Sequence, residues 1–126
     1  MFRSALLVLI ACLALGPAAS AQVKKVLTVG QPPEVVADWQ SASNKVKIDN
    51  VTPDKVMSEI GDADAFVGVI KPQEVVAGKK LKWVQITSAG VENVLHKSGS
   101  TALRDSDIVV TNNQIVQGPE ITDHAL

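Results

Sequence analysis

Apolar residues along this chain fall in short runs, and the stretches between them place their hydrophobic positions at helical intervals. Lys25 to Gly30 (KVLTVG) reads as a buried strand ending in Gly-Gln-Pro-Pro, a turn that opens a helix from Glu34 to Ala42. Lys45 to Ile48 alternates as a short strand. Thr52-Pro53-Asp54 supplies an N-cap with proline in the first helical turn, predicting a helix to about Ile60. Asp62 to Ile70 reads as a third strand, followed by Lys71-Pro72 and a short helix to Ala77. Leu81 to Ile86 is a fourth strand with a helix from Gly90 to Leu95. Asp107 to Thr111 is a fifth, and Gly118-Pro119-Glu120 begins a last helix. No internal repeat or low-complexity segment interrupts the alternation.

Strands that are apolar on both faces and separated by helices belong in a parallel sheet covered on both sides. Right-handed crossovers then predict an α/β fold, a flavodoxin-like doubly wound parallel sheet of about five strands. Ligands of such sheets sit beyond the carboxyl ends of the strands. Three loops leave strands at that edge: Gly30-Gln31-Pro32, Ile70-Lys71-Pro72 and Thr87-Ser88-Ala89-Gly90.

The first residues read differently. In Met1 to Ala21, Arg3 precedes the apolar run Ala5 to Leu15, Gly16-Pro17 breaks it, and Ala19-Ser20-Ala21 closes it. That is the order of a secretory signal peptide, too short to remain as a membrane span. It predicts export to the periplasm or medium and cleavage after Ala21. Leu9-Ile10-Ala11-Cys12 resembles a lipoprotein processing box, but lies so early in the apolar run that cleavage after Ala21 ranks ahead of it.

Composition narrows the function classes. The 126 residues are 46% hydrophobic and 20% charged with a net charge of −1, the balance of a folded domain rather than a disordered chain. Near-neutrality gives no footprint for nucleic acid or, after signal cleavage, for an anionic membrane. With 3% aromatics and no Tyr there is no base-stacking platform. One cysteine, Cys12, makes neither an internal disulfide nor a metal cluster.

Candidate chemistry centres on Thr87 to Gly90. Small residues between a strand and a helix let a ligand approach the backbone, and unbonded N–H groups there favour a carboxylate or phosphate. Asp62 and Asp64 read as carboxylates flanking a turn. His96 reads as a solvated residue at a helix C-terminus, and Lys71 as a solvated turn lysine able to meet an anion. His124 has no visible general-base partner. No nucleophile–His–acid constellation, metal spacing, Walker loop or GxGxxG occurs.

Three segments carry a family resemblance. Leu81 to Leu95 (LKWVQITSAGVENVL), Leu103 to Asn112 (LRDSDIVVTN) and Gly118 to Leu126 (GPEITDHAL) resemble, in order and spacing, segments of the D-isomer-specific 2-hydroxyacid dehydrogenases. With the signal peptide at 1–21 set apart, the resemblance implies the N-terminal part of the substrate (catalytic) domain at 22–117 and the start of an interdomain helix at 118–126, where the chain stops. It implies an oxidoreductase moving hydride between NAD or NADP and C2 of a small 2-hydroxy or 2-oxo acid. The full-length form could be a homodimer. The cofactor domain and the catalytic Arg, Glu and His fall after Leu126, so these residues alone are expected to bind no cofactor and to be inactive. What the chain carries by resemblance is the substrate-carboxylate cradle at Ala89, Gly90 and Val91, with Ser88 shaping the turn. A non-catalytic exported module binding small carboxylates is the alternative.

Overall fold

The computed structural model describes residues 24–116 and 118–125; the signal-peptide expectation at 1–21 lies outside the described residues. Five strands form one parallel sheet: β1 Lys24–Val29, β2 Val46–Val51, β3 Ala65–Val67, β4 Trp83–Gln85 and β5 Val109–Thr111, in the order β2-β1-β3-β4-β5. Between them run α1 Pro33–Ser41, α2 Val56–Glu59, α3 Pro72–Ala77 and α4 Glu92–Leu95, and α5 Gly118–Ala125 follows β5. The order places β1 between β2 and β3, so the chain winds one way to β2 and the other way to β5. This is the doubly wound, flavodoxin-like α/β architecture.

Register rows explain the core. Leu27, Phe66, Val84 and Val110 stand side by side across the sheet. Leu27 and Val84 are fully buried and Phe66 nearly so, packed with Val56 of α2, Ile60 just after it, Val75 of α3 and Val94 of α4. The adjacent row, Val26, Ala65, Trp83 and Val109, faces the other way. It is buried at Ala65 but open at Trp83 (37% exposed) and Val109 (60%). Of the helices that connect strands, right-handed crossovers put only α1 on that second face, over the β1–β2 half. α1 buries none of its residues completely.

Several elements differ from their predicted extents. β2 continues to Val51 because six residues pair in register with β1, overriding the poor strand propensity of Asp49 and Asn50. The third strand is only Ala65–Val67. Asp62 closes a 3-10 turn, Ile60–Asp62, and Gly68, at φ 140°, ends the strand in a conformation L side chains avoid. Thr52 is extended but makes no side-chain cap. The nearby Thr52 hydroxyl holds the exposed Asp54 carboxyl below its ordinary range. The chain enters α2 through a 3-10 turn at Pro53–Lys55. The helix expected from Gly90 is a single turn, Glu92–Leu95.

Candidate functional site

Loop 87–91 is fastened by its carbonyls. The Asn113 side-chain amide donates to Thr87 O (3.1 Å), and the Asn113 backbone N–H donates to Ser88 O (3.2 Å). Asn112 Nδ2 donates to Ala89 O (2.7 Å), and the Ser88 hydroxyl donates to Gly90 O (2.8 Å). Four consecutive carbonyls are thus engaged. The N–H groups of Ser88, Ala89, Gly90 and Val91 donate to no protein acceptor among the described residues. Ser88, Ala89 and Gly90 are exposed, while Val91 packs against the core.

The clamp is itself held by a chain of hydrogen bonds across β4 and β5. Trp83 Nε1 donates to Thr111 Oγ1 (2.7 Å), whose hydroxyl donates to Gln85 Oε1 (2.6 Å). Gln85 Nε2 donates to Asn113 Oδ1 (2.9 Å). That fixes the Asn113 amide with its N–H groups toward Thr87. The sequence reading missed Asn112 and Asn113 as loop partners. Their signal was positional: two amide side chains at the end of the strand neighbouring β4.

The electrostatics of the loop rest on backbone amides rather than on a helix dipole, because the one-turn α4 has almost none. One side chain opposes an anion there. A Cβ placed on Gly90 would come within 2.7 Å of a Glu92 carboxylate oxygen, so Glu92 lies against the glycine. Glu92 is exposed, with solvent around its side chain.

Next to the loop, a cleft of about 310 Å³ opens at the carboxyl ends of β1 and β3. Val29, Pro53, Val56, Phe66 and Val69 form its apolar wall. Its polar groups are Gln31, Lys71, Glu74 and Thr87. The structure therefore brings together two of the three predicted edge loops, those at Gln31 and Lys71, with Thr87 as the border to the third. Lys71 is exposed, as expected of a turn lysine, but it is not alone. Its backbone N–H donates to Glu74 Oε2 (2.7 Å), and its ammonium stands 3.9 Å from Oε1 of the same, buried carboxylate. Glu74 carried no signal beyond its capping-box spacing.

The remaining candidates lie elsewhere. Asp62 and Asp64 sit at the opposite, amino-terminal edge of the sheet, where they bind Lys25 and Lys24. His96 is exposed at the C-cap of α4. Among the described residues no group of His, Cys, Asp or Glu could hold a metal ion, and no helix is long and apolar enough to cross a membrane.

The first βα turn does not fit a dinucleotide's pyrophosphate. The first βα turn is Gly30-Gln31-Pro32-Pro33, whose prolines have no N–H to offer a pyrophosphate. The Gln31 N–H is bonded to Asn50 Oδ1 and those of Val35 and Val36 to Pro32 O, so of this turn's amides only that of Glu34 is unbonded among the described residues.

No family model matches. Nor does any curated protein match the chain.

Proposed function

We propose that this chain holds the carboxylate of a small 2-hydroxy or 2-oxo acid on the amides of Ser88, Ala89, Gly90 and Val91, as the substrate-domain portion of an exported oxidoreductase acting on the CH–OH group with NAD or NADP. The observation that carries it is the one-sided loop, with four carbonyls fastened and four consecutive N–H groups left unbonded. Unbonded amides in a preorganised turn are anion donors, since nothing must be broken to use them. These residues bind and orient the acid. The nicotinamide would supply hydride from a site outside them, and the part of Ser88 to Val91 is to hold the acid still for it.

A binding module with no chemistry of its own would use the same loop.

Titrating the chain with pyruvate while following backbone amide NMR shifts tests the shared claim. Shifts should concentrate at Ser88 to Val91. Gly90→Val should abolish them, because a β-branched side chain there blocks the approach to the backbone amides. Glu92→Gln should strengthen them severalfold by removing the opposing charge. Shifts that bypass this loop, or that survive Gly90→Val, would overturn the assignment.

A further inference from the structure

Thr87 is at once the residue before the amide loop and a wall of the cleft at the β1/β3 switch point. A ligand with its head on the loop therefore has a place for its remainder. Resting on the carboxylate reading above, we infer that the acid bound here carries an uncharged, mainly apolar tail of several carbons, seated in this cleft.

The size and chemistry of the cleft carry this. About 310 Å³ lies at the lower end of small-molecule pockets, which span roughly 300–1,000 Å³, and exceeds what glyoxylate or pyruvate needs. The crossing point between β1 and β3 is where open α/β sheets take ligands. Both strands end there on glycines at positive φ, Gly30 (61°) and Gly68 (140°), which turn the chain away and leave the mouth open. Phe66 and Val56, almost fully buried, make an apolar floor.

Charge excludes the other tails. Lys71 is the cleft's one cation among its described walls, and the Glu74 carboxylate beside it already balances it. A second carboxylate or a phosphate on the ligand would meet buried Glu74 with no spare positive charge. The selected substrate is thus a monocarboxylate of the 2-oxopentanoate or 4-methyl-2-oxopentanoate kind, rather than a dicarboxylate or a phosphorylated acid.

The test is a series of NMR titrations of the full chain with glyoxylate, pyruvate, 2-oxopentanoate, 4-methyl-2-oxopentanoate and 2-oxoglutarate. Affinity should rise about fourfold for each methylene that enters the cleft, with shifts spreading from Ser88–Val91 to Val29, Phe66 and Gly68. The dicarboxylate should gain nothing over pyruvate. Val69→Trp, at a position 64% exposed on the cleft wall, should remove the gain for the branched acid and leave glyoxylate binding unchanged. Equal affinity along the series, with shifts confined to the loop, would overturn the tail and leave the carboxylate reading standing. Binding of none of the acids would overturn both.

Discussion

Asp64 joins three strands at the amino-terminal edge of the sheet. Its N–H donates to Lys25 O (2.9 Å), its carboxylate accepts the Lys25 N–H (3.0 Å), and its carbonyl accepts the Lys82 N–H (2.8 Å). The Lys24 ammonium adds a bond at 3.3 Å. The Lys25 backbone N–H, more than any charge, holds the Asp64 carboxyl below its ordinary value of 3.8. Nearby Asp62 is lowered in the same direction, chiefly by the hydrogen bond from the Lys25 ammonium. A carboxyl lowered by folding contributes stability that is complete above pH 3.8 and disappears as pH falls through the depressed folded value. Asp64→Ala should therefore cost about 1–3 kcal/mol at pH 7, and the gap between variant and parent should narrow below pH 3.8. Urea midpoints at pH 7 and pH 2.5 check this, and an unchanging gap would assign the loss to packing instead. From sequence, Asp62 and Asp64 could be read only as flanking a turn. A side chain that receives a neighbouring strand's N–H has no local pattern to announce it.

At the scale of elements, α1 acts less through burial than through one side chain near its end. β2 is an edge strand whose residues Val46 and Ile48 turn their backbone groups outward. Gln40 meets both: its Nε2 donates to Val46 O (2.6 Å), and its Oε1 accepts the Ile48 N–H (2.9 Å). The carboxamide stands where a further strand would pair, and so blunts an edge open to another chain. Gln40→Ala should lower stability by about 1–3 kcal/mol for three lost bonds, the third running from Nε2 to Ser43 O (3.1 Å). It should also raise concentration-dependent aggregation, measured by light scattering, above that of an exposed control such as Asp38→Ala. Without that rise, Gln40 is merely a local tether. The alternation of strands and helices was legible because most strands centre on short apolar runs, while β2 shows itself by alternation. The fastening of loop 87–91 was not, since its partners Asn112 and Asn113 lie 23 to 26 residues away and meet it only once β5 pairs with β4.

In the whole molecule, the two faces of the sheet are unequally covered. The face with Leu27, Phe66 and Val84 has three helices over it. The other has α1 at one end and bare Trp83 and Val109 at the other. All-parallel sheets are ordinarily covered on both faces, so this half is where the molecule gains most from a neighbour, whether a further segment or another copy. The strand order also brings the β1 and β3 loops into one cleft. No stretch of the sequence names that cleft, although the predicted doubly wound order implies where it must be.

The bare half carries its own optical reporter. Trp83 is 37% exposed and hydrogen-bonded through Nε1 to Thr111, in the middle of the uncovered surface. Trp39, on α1, is the second of two tryptophans, and no tyrosine contributes to the emission. Whatever settles over β4 and β5 must dry the Trp83 indole and shift its emission to shorter wavelength. The full chain should show a blue shift with rising concentration, lost in Trp83→Phe and kept in Trp39→Phe. A spectrum independent of concentration would mean that this surface stays wet and that copies of the chain do not cover it.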